Sequence, residues 1–279
     1  MADELLGQID LLIEKRPMYK EALSMYRSLM VLLNELKSEI TYEMRDESVR
    51  EIKVKEGFPV FSREDLPLDR SAVGSLFQRL LERLTLHKRK DKEGLEKALN
   101  KVHADPKWVH DVITTFLSND EATLTKMAEE VRLTPMVLKF LAHMAVKPYM
   151  KSLRESMRER IHKDAWNYGY CPVCGSSPDM AYFDSEGKRF LHCELCDCEW
   201  HFHRLRCPFC ENKKSKELGY FTSDEDEGYR VDFCKKCGRY IKTLDMRVID
   251  SPAPLELENL ITLHLDILAQ QQGFNARNS

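Results

Sequence analysis

Cys171-Pro-Val-Cys174, Cys193-Glu-Leu-Cys196, Cys207-Pro-Phe-Cys210 and Cys234-Lys-Lys-Cys237 set the architecture of the last hundred or so residues. All nine cysteines of the 279-residue chain lie between Cys171 and Cys237, and eight of them fall in these four CxxC pairs. Clustering in CxxC pairs signals metal, because two thiolates separated by two residues sit on one tight turn and grip one ion. A disulfide scaffold suits short secreted chains instead. Gly175 and Gly238 follow two of the pairs, where a relaxed backbone helps the turn close.

Gaps of 18 and 23 residues separate the members of each consecutive couple, the length of one β-hairpin. Met180–Phe183 and Lys188–His192 read as strands around Asp184-Ser-Glu-Gly187, and Leu218–Phe221 and Tyr229–Phe233 flank the acidic turn from Ser223 to Gly228. A further strand follows each second knuckle, over Glu199–Leu205 and Arg239–Leu244. The pattern resembles a duplicated rubredoxin-like or zinc-ribbon module. Consecutive pairing gives one S₄ site from Cys171, Cys174, Cys193 and Cys196, and another from Cys207, Cys210, Cys234 and Cys237. A cross-brace joining the first knuckle to the third also gives two S₄ sites, but hairpins with their own turns favour consecutive pairing. Ligand type does not separate zinc from iron. A closed S₄ set leaves no position for a reactive water, which argues against hydrolytic metal catalysis.

Cys198 shares a strand face with Trp200 and Phe202 and reads as a small buried side chain, with ligand exchange with Cys196 as the sharper alternative. His192, His201 and His203 lie near the first site as surrounding or surface groups, since four thiolates are already available.

Working outward, the first 165 residues read as helix upon helix. Pro17 opens an amphipathic stretch through Leu36, and Val73, Leu76, Phe77, Leu80, Leu81 and Leu84 mark another. The basic run His87–Lys90 is expected to end that helix and face water. Residues 42–68 read as irregular, and shorter helices are expected near 93–103 and 106–117. Asp120 and Thr134 read as N-caps, and Leu138–Ile161 as a long helix kinked at Pro148. A last amphipathic helix runs from Pro254 to about Gln272. The expected architecture is α+β: a helical domain over 1–167, a first ribbon over 168–205, a second over 206–250, and a C-terminal helix and tail over 251–279.

Hydrophobic residues make up 43% and charged residues 32%, as in globular proteins. No apolar run approaches the roughly 18 residues a membrane span requires. Met1-Ala2-Asp3-Glu4 is acidic where a signal peptide would be basic, so the cytoplasm is the expected location. Residues 171–279 hold 14 Lys+Arg against 18 Asp+Glu, which disfavours a nucleic-acid partner for the ribbons. P-loop, GxGxxG, HExxH and GxSxG motifs are absent from the sequence, so it offers no catalytic residues.

Cys171-Pro-Val-Cys-Gly-Ser-Ser-Pro178, Leu191-His-Cys-Glu-Leu-Cys-Asp-Cys-Glu-Trp-His201, Arg204-Leu-Arg-Cys-Pro-Phe-Cys210 and Phe233-Cys-Lys-Lys-Cys-Gly-Arg-Tyr-Ile-Lys242 together resemble the formate dehydrogenase accessory protein FdhE family. The tail Leu265–Phe274 is similar to the family's closing helix. This resemblance implies a non-enzymatic cytoplasmic factor for respiratory formate dehydrogenase. It would bind the molybdenum- or tungsten-containing catalytic subunit, a twin-arginine export substrate, during maturation. It also implies two metal ions, iron in the family with zinc as the alternative, held by the eight CxxC cysteines. Cys198 stands outside the family pattern. Trp200, Arg204 and Arg206 are candidate anchors for the partner, although Trp200 reads first as a core residue packed on Cys198 and Phe202. A rubredoxin-like electron carrier and a nucleic-acid-binding ribbon factor are the competing functions.

Overall fold

A computed structural model describes residues 2–36, 54–63, 66–87, 89–157, 166–223 and 226–275 of the chain. The helical body comprises α1 (Ala2–Lys15), α2 (Lys20–Glu35), α3 (Arg70–Thr85), α4 (Lys92–Ala104), α5 (Lys107–Leu117), α6 (Glu121–Glu130) and α7 (Pro135–Ser156). Periodicity dictates its core: all six residues of the Val73–Leu84 stripe are buried on α3. Side-chain caps start three of the helices. Asp69 accepts from the Ser71 and Ala72 amides, Asp120 from that of Thr123, and Thr134 from that of Val137.

Pro17 does not open the long helix directly. It starts the single 3₁₀ turn Pro17–Tyr19 that separates α1 from α2. Arg89, expected in water, instead forms a two-pronged pair with Asp91 at 2.8 and 2.7 Å and lies half-buried against α2. Pro148 lies inside α7, and the expected end of that helix at Ile161 falls outside the described residues, as does most of the irregular stretch 42–68. The expected single C-terminal helix is divided into α8 (Leu255–Leu260) and α9 (Leu263–Gln271).

Both ribbons belong to one six-stranded sheet. β1 (Pro178–Phe183) and β2 (Arg189–Cys193) form the first hairpin, and β3 (Glu199–His201), shorter than its expected extent, pairs with β2. β4 (Leu218–Phe221) and β5 (Tyr229–Cys234) form the second, extended by β6 (Arg239–Asp245). The two halves join through parallel pairing of β1 with β6, Ala181 opposite Thr243, giving the order β3-β2-β1-β6-β5-β4.

Strand alternation then divides the sheet into two faces. Ala181, Leu191, Trp200 and Ile241 enter the main core with the helical body. Met180, Tyr182, Val231, Tyr240 and Leu244 face the other way and bury Leu255, Leu265 and Ala269 of the C-terminal segment. Leu257 and Ile261 of that segment pack on Ile9, Tyr19 and Leu23. The C-terminal segment therefore ties the sheet to α1 and α2.

Candidate metal centres

Each CxxC pair folds as a knuckle whose geometry is set by the backbone. The amide of the residue after the second cysteine returns to the first cysteine's carbonyl: Gly175 to Cys171 at 2.9 Å, Asp197 to Cys193 at 3.0 Å, Glu211 to Cys207 at 3.0 Å and Gly238 to Cys234 at 2.9 Å. All four of these residues have positive φ, between 53° and 69°. Glycine takes this conformation without strain at two knuckles, while Asp197 and Glu211 accept it at the other two.

The knuckles meet in consecutive pairs, not in a cross-brace. The sulfurs of Cys171, Cys174, Cys193 and Cys196 lie within 4.8 Å of one another, as do those of Cys207, Cys210, Cys234 and Cys237. A metal–sulfur bond of about 2.3 Å in a tetrahedron requires sulfurs about 3.8 Å apart. The closest approaches in the first set are 3.5, 3.5 and 3.8 Å, and in the second 3.7 and 3.7 Å. None of the nine cysteines is paired in a disulfide. The two sets fit tetrahedral ions and could each hold one.

Hydrogen bonds to sulfur accompany the geometry. At the first site the Val173 amide donates to Cys171 Sγ at 3.4 Å, and Ser176 Oγ lies 3.3 Å from Cys174 Sγ. At the second, Asn212 Nδ2 donates to Cys234 Sγ at 3.6 Å. Burial opposes the Cys234 thiolate, but the Cys237 amide, the Asn212 side chain and the Lys236 amide together bring the thiol down to about 7. That environment favours the Cys234 thiolate, whereas burial pushes the Cys207 and Cys237 thiols up. Ser176 and Asn212 hold the same place in their knuckles, since the Ser176 carbonyl accepts from the Cys171 amide and the Asn212 carbonyl from the Cys207 amide. The sequence reading missed both; the signal available was a polar residue two places after the second cysteine.

The sites differ in burial. All four cysteines of the first are buried, whereas Cys210 and Cys237 of the second are partly exposed. Helical-body residues clamp the first: the Val60 and Phe61 amides donate to the Pro172 and Val173 carbonyls at 2.9 Å each, and His143 bonds the Glu194 carbonyl at 2.9 Å. Behind it lies a buried ion network absent from the sequence reading. Lys147 of α7 reaches Asp197 at 2.8 Å and Glu256 at 2.7 Å, and Lys151 reaches Asp197 at 2.6 Å. His192 bonds Asp179 at 2.7 Å; burial opposes its charge, but Asp179 and Asp197 outweigh that and raise it to about 10.

Cys198 is fully buried with Trp200 and Phe202, beside the first set but outside it. Trp200, a candidate anchor, is fully buried, and its indole N–H donates to the Tyr168 carbonyl at 2.9 Å, so it has no surface to offer a partner. Arg204 is exposed, 4.6 Å above the Phe183 ring. Arg206 pairs with Glu211 at 2.8 Å and is largely buried.

With this geometry in hand, comparison with known proteins is specific. Residues 170–204, the first ribbon, match the family profile described as FdhE, central domain. Over this ribbon the chain is similar to the FdhE family. An FdhE homolog of Aquifex aeolicus is 35% identical over 142 residues, covering 50% of this chain and 49% of the relative. A Salmonella paratyphi A FdhE is 40% identical over 114 residues, 39% of this chain and 36% of the relative. The chain thus spans about half, or less, of the length of the curated relatives it matches. The crystal structure of FdhE from Pseudomonas aeruginosa shares the fold with a TM-score of 0.69 at 22% identity, over 100% of this chain and 93% of that one.

Proposed function

We propose that the chain is an accessory factor for the maturation of a formate dehydrogenase, acting in the cytoplasm on the molybdenum- or tungsten-containing catalytic subunit and catalysing no reaction itself. One observation carries this reading: two closed cysteine cages are built into a sheet docked on a helical body, in a chain whose first ribbon is similar to the FdhE central domain. With four thiolates each, neither cage keeps a coordination position for substrate. Iron is the proposed ion at both, held by Cys171, Cys174, Cys193 and Cys196 and by Cys207, Cys210, Cys234 and Cys237. Among the described residues no helix is long and apolar enough to cross a membrane.

Arg204 and Arg206, on the linker between the ribbons, are the proposed partner anchors. The test is affinity purification from the native host under anaerobic conditions, with metal analysis and mass spectrometry of co-purifying chains. Recovery of a formate dehydrogenase catalytic subunit is expected, and its absence defeats the reading.

A second reading rests on the partial exposure of Cys210 and Cys237. Iron at the second site would sit close enough to the surface to exchange an electron with a docked partner. Reversible reduction of the iron-loaded protein would support this, and zinc in the freshly isolated native protein would dismiss it.

A further inference from the structure

Where the two ribbons meet, Arg189, Arg204, Arg206 and Arg239 line a cleft beside the second cysteine cage, and its only lining carboxylate is Asp232. That carboxylate is already engaged: Oδ1 accepts from Arg230 at 2.9 Å and Oδ2 from the Thr243 hydroxyl at 2.6 Å. Arg189 is the informative residue. Its side chain is 3% exposed and its Nη1 donates to the Arg206 carbonyl at 3.2 Å. Its Nε has no hydrogen-bond partner among the described residues, and Nη2 has only a 3.7 Å ion pair with Asp232. A buried guanidinium carries five donors in a fixed fork and is costly to leave half-satisfied. Arg206 adds a second buried Nε without a hydrogen-bond partner among the described residues.

We infer that this cleft binds a small oxyanion, a carboxylate or phosphoryl group, between Arg189, Arg206 and the exposed Arg204. The planar guanidinium fork matches such oxygens in two-pronged fashion. Size fits the same class. The cavity volume is about 40 Å³, and a water needs roughly 10–15 Å³ on that measure, so there is room for about three or four water-sized oxygens, enough for those of a carboxylate or phosphoryl group. The competing account is that the arginines only offset the negative charge of the thiolates of Cys207 and Cys234, which also line the cleft. That account leaves the Nε donors without acceptors, and it predicts that the arginines govern metal retention instead of anion uptake.

Equilibrium dialysis of the metal-loaded full chain against labelled inorganic phosphate, with acetate as competitor, separates the two. The expected result is saturable uptake of one anion per chain. Arg204→Gln, an exposed change that spares the core, should weaken it about threefold to tenfold, and Arg189→Met about tenfold or more with both ions retained. Displacement by acetate at or below the phosphate concentration assigns the site to a carboxylate; phosphate uptake indifferent to acetate assigns it to a phosphoryl group. Lack of saturable uptake overturns the inference. So does uptake unaffected by Arg204→Gln, or a loss of uptake only in variants that also lose metal.

Discussion

Replacing Lys147 with methionine tests whether the helical body holds the first metal site through charge. The Lys147 side chain is 9% exposed, and its Nζ sits between Asp197 at 2.8 Å and Glu256 at 2.7 Å. Both acids lie within hydrogen-bond range, and the ammonium is held well above its ordinary pKa: burial opposes the charge but Asp197 and Glu256 outweigh it. Methionine fills the same channel but leaves two buried carboxylates short of a cation. Removing one partner of a buried pair costs about 3–5 kcal/mol. Asp197 keeps Lys151 at 2.6 Å, while Glu256 is left with Lys151 at 3.8 Å, so the low end, about 3 kcal/mol, applies. At roughly 2–4 °C per kcal/mol for a chain of this size, the melting temperature should fall by about 6–12 °C. The second readout is metal release to a chelator, with the two phases assigned using Cys171→Ser and Cys237→Ser. Because Asp197 directly follows Cys196, release from the first site should accelerate and release from the second should not. A melting shift below about 2 °C, or equal acceleration at both sites, would show that the Lys147 charge does not hold the first site.

Other outcomes follow from the same geometry. The double variant Cys171→Ser/Cys193→Ser should lose one of two bound ions by elemental analysis, since both residues belong to one cage; a cross-braced protein would lose both. Gly169→Ala would place a Cβ 1.8 Å from the Pro208 carbonyl oxygen, so backbone must move, and a loss of about 1–3 kcal/mol in denaturant unfolding is expected; an unchanged midpoint would show that the 168–170 turn does not bear on the second knuckle. Burial holds the Glu258 carboxyl above its ordinary 4.5 despite the Tyr229 hydroxyl and Ala253 amide it accepts from. A raised carboxyl binds its proton more tightly in the folded state, so its contribution is present below 4.5 and lost as pH rises through the folded value. Glu258→Gln should therefore lose less stability than wild type as pH rises from 4.5, and parallel melting curves would contradict this.

Much of this was legible because the relevant signals are local. The CxxC knuckles, their consecutive pairing through hairpins, the α3 stripe and the caps at Asp120 and Thr134 each depend on residues within a few turns of one another. What escaped depends on long-range placement. Parallel pairing of β1 with β6 joins residues about sixty positions apart, and neither strand's composition differs from that of an edge strand. Arg89 looks like a solvent-facing cation until its Nη1 is seen against Met25 of α2, 64 positions away, with Asp91 taking the other two nitrogens. The acidic balance of residues 171–279 hides the local arginine cleft, because Arg189, Arg206 and Arg239 come from separate strands and loops.

The two knuckles that lack glycine show how the copies have come to differ. Asp197 and Glu211 hold the same left-handed conformation, φ 53° and 58°, at a cost of roughly 1 kcal/mol each relative to glycine. Their side chains return very different amounts. Glu211 makes one pair with Arg206, and its side chain is 48% exposed, which is worth little in water. Glu211→Gly should thus be neutral or stabilising by up to about 1 kcal/mol. Asp197 is 15% exposed and joins Lys147, Lys151 and His192, so Asp197→Gly relieves the same strain but leaves the buried Lys147 with Glu256 alone, and should destabilise by about 2 kcal/mol net. Denaturant unfolding of the two variants side by side reads the difference directly; if both were stabilised, the Asp197 network would carry no net weight. The non-glycine residue at the first site is therefore explained by its ion pairs. It bolts the buried cage to the helical body, while the second cage, lacking such a bolt, keeps two of its thiolates partly open to solvent.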